Sequence, residues 1–145
     1  MKRKWKILSL ILALTMVVSI CIQPVAAATK ESSYFSSYWV DLEEGDYNSF
    51  QIWFDVSSNA IIMDELGTSK IEVYRSADAS TWTKVKTYYK GNYLAMTSTN
   101  TTSHVGYVTY AGGWTNYYYK AKVTLYAKNG NNIGELSVYT GTIRI

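Results

Sequence analysis

The stretch that decides the fold is residues 116–128, which read NYYYKAKVTLYAK. Apolar and aromatic side chains take the odd-numbered positions: Tyr117, Tyr119, Ala121, Val123, Leu125 and Ala127. Mostly polar side chains take the even-numbered positions: Tyr118, Lys120, Lys122, Thr124, Tyr126 and Lys128. Because successive side chains of a strand point to opposite sides of a sheet, this alternation predicts a β-strand with one buried face. The Asn129-Gly130 pair that follows predicts a tight hairpin, since both residues tolerate a positive φ.

Strand patterns also occupy most of the preceding sequence. Residues 49–57 alternate in the same way, and their expected buried side is formed by Phe50, Ile52, Phe54 and Val56. Six more strands are predicted, at residues 34–42, 70–75, 82–89, 93–97, 104–110 and 136–145. Residues 59–67 are expected to form a short helical turn or to plug one end of the core. Seven or eight short strands over residues 29–145 predict an all-β fold, a single antiparallel β-sandwich.

The first 28 residues have the layout of a secretory signal peptide. Residues 1–6 carry four positive charges, residues 7–22 form an almost unbroken apolar run, and residues 25–28 read VAAA. Cleavage is expected near residue 28, which divides the chain into a signal peptide, residues 1–28, and a β-sandwich domain, residues 29–145. The protein is therefore expected to be secreted, with no stable membrane span once the signal is removed. Two alternatives stay open, an uncleaved anchor and lipid modification of Cys21.

Removal of the signal peptide changes the composition of the chain. Four basic residues leave with it, so the formal net charge falls from +3 to −1, and no nucleic-acid partner is expected. Cys21 is the only cysteine, so the remaining domain is held by its core without disulfides. No cofactor is expected from the sequence.

Charge is unevenly distributed along the remaining chain. Residues 29–78 carry a net charge of −7, and residues 79–145 carry +6. One interpretation is a charge dipole that favours head-to-tail self-association. The other is that strands from both halves interleave in each sheet and neutralise each other. We expect the second, because halves of a sequence need not form halves of a fold.

Two stretches resemble fibronectin type III-like domains. Residues 70–76 (KIEVYRS), the turn at 77–80 and residues 81–85 (TWTKV) look like the middle hairpin of that fold. Residues 117–123 (YYYKAKV), with the hairpin at 127–130, look like its sixth strand. The resemblance implies a tyrosine corner at Tyr117 or Tyr119, whose hydroxyl would bond back to upstream backbone. The layout also resembles small secreted proteins of Gram-positive bacteria with no assigned activity, which implies fold and export but no mechanism.

Catalytic groups are sparse in this sequence, and no catalytic residue is predicted. His104 is the only histidine, and no G-x-S-x-G motif accompanies it, so a nucleophilic triad is not expected. Zinc would need further nitrogen or sulfur ligands. Asp55 and Asp64 are a weak candidate pair for glycoside hydrolysis, which depends on their separation in space. The protein is therefore not predicted to be an enzyme.

A cluster of acidic residues around Gly45 is a weak calcium candidate. It consists of Asp41, Glu43, Glu44 and Asp46, whose oxygen atoms are the ligands that calcium prefers. Their spacing differs from that of an EF-hand loop, and an acidic turn is usually only solvated.

Aromatic side chains are the feature that points most directly to a ligand. Trp53, Tyr74, Tyr118 and Tyr126 fall on the sides of their strands opposite the predicted core. Exposed rings stack on sugars, but they also pair across strands and stabilise the sheet. Trp114 is predicted either as a core or corner residue, like Trp82, or as an exposed anchor in a glycine-rich loop.

These features favour a non-catalytic binding module at the bacterial cell surface or outside the cell. Its expected partner is a cell-wall or extracellular polysaccharide, or another protein. The alternatives are a secreted effector or toxin-like protein, an enzyme such as a glycoside hydrolase, and a purely structural role.

Overall fold

The computed structural model describes residues 33–145, which form two antiparallel β-sheets around a shared core. The predicted signal peptide and Cys21 lie outside the described residues. The strands are β1 (Phe35–Glu44), β2 (Phe50–Ser58), β3 (Met63–Ser76), β4 (Thr83–Tyr89), β5 (Thr97–Thr101), β6 (Ser103–Tyr110), β7 (Tyr118–Asn129), β8 (Asn132–Tyr139) and β9 (Ile143–Arg144). Two 3₁₀ turns, Lys90–Asn92 and Leu94–Met96, separate β4 from β5. In this part of the chain, no helix is long and apolar enough to cross a membrane.

The strands are divided unequally between the two sheets. The first sheet has the order β1-β2-β6. The second has the order β4-β3-β7-β8, with β5 beside the first half of β3 and β9 beside the start of β7. Every strand pair is antiparallel, so the prediction of an all-β fold with antiparallel sheets is confirmed.

The core lies between β2 of the first sheet and the central strands β3 and β7 of the second. The predicted inward residues of β2 are fully buried: Phe50, Ile52, Phe54 and Val56. So are those of β7: Tyr119, Ala121, Val123, Leu125 and Ala127. Both alternation patterns are therefore confirmed, because a period of two predicts that one face of the strand is buried.

Two local predictions are wrong, and both errors fall where the chain closes one end of the core. Residues 59–67 do not form a helical turn, because β3 begins at Met63 and pairs with β5, although Met63 and Leu66 are fully buried in the core as the alternative expected. Residues 93–97 do not form a strand of their own, because Leu94–Met96 is a 3₁₀ turn and β5 begins only at Thr97, and the side chain of Met96 is fully buried in the core. Gly67, with φ +149°, lets Met96 approach, since a Cβ there would lie 2.1 Å from the Met96 carbonyl oxygen.

The hairpin between β7 and β8 forms where the Asn129-Gly130 pair predicted it. Asn129 pairs with Asn132, and Gly130 has a φ of +59° at the first position of the turn. The amide of Gly130 donates a hydrogen bond of 2.6 Å to the Asp64 carboxylate, which attaches the turn to β3.

The charges separate by sheet, so the predicted neutralisation within each sheet is wrong. The strands of the first sheet and the turn between β1 and β2 contain five acidic residues and no Lys or Arg, a net charge of −5. The rest of the described chain carries +4. The cause is strand pairing, because β1 and β2 from the acidic half pair with β6, which contains neither acids nor strong bases.

Candidate functional site

The five aromatic residues predicted to bind a ligand do not share one surface. Trp53 faces outward from the first sheet, since it lies opposite Asp41 and Tyr107, whereas Tyr74 and Tyr118 lie on the second sheet. Trp114 lies in the loop between β6 and β7. Their role as ligand contacts stays a prediction, and only the placement of each is settled.

Tyr126 was expected to be exposed, but it is only 6% exposed. The ammonium group of Lys90 lies 3.7 Å from the centre of its ring and also pairs with Glu65 at 2.6 Å. Burial tends to raise the pKa of Glu65, but hydrogen bonds from Lys90 and Thr97 outweigh it, so the pKa is lowered. This cluster leaves little of Tyr126 for a ligand.

Trp114 lies at one end of the sandwich, termed here the loop end, where the loops 45–49, 77–82 and 111–117 meet the last residues of the chain. The Gly113 amide donates to the Asn48 carbonyl oxygen at 2.9 Å. A Cβ at Gly113 would lie 2.2 Å from that oxygen, so only glycine permits this contact. The Asn116 amide donates to the Ile145 carbonyl oxygen. The loop is therefore attached on both sides of Trp114.

A hydrogen bond from the loop to the core holds Trp114 itself. Its backbone amide donates to the Tyr119 hydroxyl at 2.7 Å, and the Tyr119 side chain is fully buried. The Tyr119 ring packs 5.2 Å from Phe50 and 5.9 Å from Tyr110, which belong to the first sheet. Of the two tyrosines predicted for such a bond, Tyr119 makes it. The core interpretation of Trp114 is wrong, because its indole is 55% exposed.

Arg75 stacks on the indole of Trp114. Its guanidinium carbon lies 3.8 Å from the centre of the Trp114 ring and 5.1 Å from that of Tyr117. The two rings meet edge to face, 5.6 Å apart. Among residues 33–145, no carboxylate lies within ion-pair distance of Arg75. Stacking holds the guanidinium in place through its face and leaves its N–H donors, which lie in its plane, for another group.

A shallow pocket of about 250 Å³ lies beside this stack. It is lined by Arg75, Ser76, Ala77, Asp78, Thr81, Thr83 and Tyr117. The Asp78 carboxylate accepts hydrogen bonds from the amides of Thr81 at 2.8 Å and Ser80 at 2.9 Å. These bonds hold the pKa of Asp78 well below its usual range, so it is ionised at neutral pH. The pocket thus combines a fixed cation, a fixed anion, hydroxyl groups and an aromatic wall.

The weaker catalytic and metal candidates are not brought together. Asp55 faces outward from the first sheet, whereas Asp64 is the second residue of β3 in the other sheet and accepts a hydrogen bond from the Gly130 amide. Around Gly45, side chains alternate in direction along β1. No group of three or more acidic, histidine or cysteine side chains in the described region is positioned to hold a metal ion. The calcium interpretation, Asp41, Glu43, Glu44 and Asp46, therefore finds no support.

The outward side of the first sheet forms a surface that we call the acidic face. It consists of Trp39, Asp41, Glu43, Trp53, Asp55, Val105 and Tyr107. Trp53 packs against Tyr107 with ring centres 4.6 Å apart, while Trp39 is 52% exposed and Val105 is 59% exposed. Trp39 and Tyr107 were missed in the sequence, although Trp39 alternates with the apolar Val40 and Leu42.

Part of the outward side of the second sheet forms the basic face, and Glu65, Lys90 and Glu135 lie elsewhere on the same side. The basic face consists of Lys70, Glu72, Tyr74, Lys84, Lys120, Lys122 and Tyr139. The ammonium group of Lys120 lies 4.2 Å from the Trp82 ring and 5.2 Å from the Tyr139 ring, so a lysine lies against both aromatic side chains, although Tyr139 stays 53% exposed. Glu72 lies among the lysines, 2.9 Å from Lys84 and 3.4 Å from Lys70.

Comparison with protein-family models, with curated proteins and with solved structures finds no match to this chain.

The Glu72 ion pairs predict a pH-dependent contribution to stability. The hydrogen bond from Lys84 is the main cause that lowers the pKa of Glu72 below its ordinary value of 4.5. A lowered pKa stabilises the fold above that ordinary value, and the contribution is lost as the pH falls through the folded-state pKa. At pH 7, Glu72→Gln should lower the free energy of unfolding by about 1 kcal/mol. The difference should shrink below about pH 4.5.

Urea unfolding at a series of pH values measures this difference. Glu43→Gln is the matched control, because Glu43 makes no ion pair in the described chain and its substitution should change little. A Glu72→Gln difference that stayed constant down to low pH would contradict the assignment.

Proposed function

We propose that this chain is an exported, non-catalytic binding module that holds a carbohydrate at the loop end. The observation that carries the proposal is the Trp114–Arg75 stack beside the pocket. The Tyr117 ring lines the pocket and offers an apolar surface to the C–H face of a sugar ring, while Trp114, which lies outside the lining, holds the Arg75 guanidinium by stacking. The Arg75 guanidinium donates hydrogen bonds to sugar oxygens, and the Asp78 carboxylate accepts them from sugar hydroxyls.

The size of the pocket supports a small terminal group as its occupant. At about 250 Å³ it is slightly below the range of about 300–1,000 Å³ for sites that enclose drug-sized ligands. One sugar unit at the end or at a branch of a polysaccharide suits this volume, while the rest of the polymer stays in solvent. The anchored loop also favours binding, because a site that is already ordered loses less entropy when a ligand arrives.

The fold and the first residues support an extracellular location. The sheet orders β1-β2-β6 and β4-β3-β7-β8, together with the bond to the Tyr119 hydroxyl, support the resemblance to fibronectin type III-like and immunoglobulin-like domains. The signal-peptide pattern of residues 1–28 and the resemblance to small secreted Gram-positive proteins support export from a bacterium. The proposed location is the cell surface or the medium.

Trp114→Ala tests the proposed site. Pull-down on insoluble cell wall and a panel of polysaccharides should show binding by the unaltered protein and a loss of at least about tenfold in the variant, or about 1.4 kcal/mol. Trp39→Ala is the matched control, because Trp39 is 52% exposed against 55% for Trp114 but lies on the acidic face. It should bind like the unaltered protein.

Other outcomes of the same experiment count against the proposal. If binding is retained in Trp114→Ala but lost in Trp53→Ala, the carbohydrate site lies on the acidic face. Binding to no polymer would favour a protein partner or a secreted effector.

Export is tested by the mass of the protein recovered from the culture medium. The expected product begins at Ala28 or Thr29, because the peptidase reads small residues just before the cut. A full-length chain in the membrane fraction would indicate an uncleaved anchor. A product that begins at Cys21 and carries acyl groups would indicate a lipoprotein.

A further inference from the structure

The two outward faces of this sandwich are opposite in charge and lie on opposite sides of the molecule. The acidic face belongs to strands that contain no Lys or Arg, and the basic face contains four lysines and a single carboxylate. Within an isolated domain this separation does not lower the electrostatic free energy, because like charges lie close together on each side. The arrangement gains energy only when something of opposite charge covers a face.

The acidic face also exposes unusual apolar area. Trp39, Val105 and Tyr107 are 52%, 59% and 43% exposed, and they lie near one another across the sheet. In the described structure no Lys or Arg stacks on Trp39, Trp53 or Tyr107. Contiguous exposed rings on a flat sheet are typical of a surface that another molecule covers. Their ring faces attract cations.

The basic face supplies such cations. Lys120 and Lys122 stand two residues apart on β7, about 7 Å along the strand, and Lys84 lies two strands away, about 10 Å across the sheet. Glu72 offsets only part of this charge. The face therefore has the sign, spacing and flatness to meet the carboxylates Asp41, Glu43 and Asp55.

We propose that the partner of each face is a second copy of this chain, with the acidic face of one copy docked on the basic face of the next. Lysines of the basic face then pair with the three carboxylates and lie against the rings of Trp39 and Tyr107. This proposal does not depend on the carbohydrate pocket.

The contact produces an open stack in place of a closed dimer. Each copy uses two different surfaces, and such a heterologous contact propagates when its surfaces lie on opposite sides of the subunit. With sheets packed about 10 Å apart, the repeat along the stack is about 20 Å. The loop end lies at the ends of the strands, so it stays open along the side of the stack and repeats with each copy.

The small area of each face predicts a weak association, and its charge pairs predict that the association depends on salt. Three strands about 4.8 Å apart and up to ten residues long give a face of roughly 500 Å². Stable interfaces bury about 800 Å² per partner, so stacking should need concentrations well above micromolar. Because charge pairs supply much of the attraction, about 0.5 M salt should dissociate the stack.

Sedimentation velocity of the purified protein tests the stack directly. At low ionic strength and about 0.1 mM or above, the expected result is a concentration-dependent series that extends beyond the dimer. Added salt should return it to the monomer. A protein that stays monomeric at every concentration, or that stops at a dimer, would overturn the proposal.

A pair of neutralised variants makes the test specific. Glu43→Gln/Asp55→Asn weakens the acidic face and keeps the basic one, and Lys120→Gln/Lys122→Gln does the opposite. Each alone should be monomeric where the unaltered protein stacks. Mixed in equal amounts, they should form a one-to-one dimer and nothing larger, because each contributes one intact face. A mixture that stays monomeric would contradict the proposal.

The matched control removes the same charge from the end of the first sheet. Glu44→Gln/Asp46→Asn should stack like the unaltered protein, because neither residue belongs to the acidic face. Stacking lost equally in this control would show that net charge, and not the face, drives association. Urea unfolding of every variant confirms that each is folded, since none of the four acidic side chains forms an ion pair in the described structure.

Discussion

The hydrogen bond between the Trp114 amide and the Tyr119 hydroxyl connects the core of this protein to its candidate site. Tyr119 lies on the central strand β7 and is fully buried against Phe50 and Tyr110 of the opposite sheet. Its ring therefore helps to hold the two sheets together, and its hydroxyl fixes the loop that carries Trp114. Trp114 in turn stacks on Arg75 from β3. One buried side chain thus links packing, loop position and the orientation of a guanidinium at the surface.

The second constraint is the way in which strand order distributes charge. The sequence runs from acidic to basic, and the pairing of β1, β2 and β6 turns this gradient into a difference between the two sides of the sandwich. The loop end is independent of that difference, because it contains both Arg75 and Asp78. The molecule therefore presents three surfaces of distinct chemistry: an acidic aromatic face, a basic face and a polar pocket at one end.

Local patterns predicted the parts of this fold that depend on neighbouring residues. The alternation in β2 and β7 identified their buried faces, and Asn129-Gly130 identified a hairpin, because each signal is contained in a few consecutive positions. The features that were predicted wrongly depend on contacts between residues far apart in the sequence. The 3₁₀ turn at Met96 depends on the space left by Gly67, and the burial of Tyr126 depends on Lys90.

The candidate site was predicted only in part for the same reason. Trp114 was suggested by a glycine-rich loop, and the tyrosine bond was implied by the resemblance to fibronectin type III-like domains. The place of Arg75 beside them follows from the pairing of β3 with β7, which no local pattern contains. Separation of charge by sheet is also a property of pairing, so the sequence alone favoured the wrong interpretation.

Hydrogen exchange at the Trp114 amide tests the central claim most directly. In the unaltered protein this amide should be protected to nearly the same degree as those of β7, because its acceptor is a buried hydroxyl of the core. In Tyr119→Phe the strands should keep their protection, while the Trp114 amide should exchange at least about tenfold faster. Rapid exchange at Trp114 in the unaltered protein, or equal protection in both proteins, would contradict the link between the core and the site.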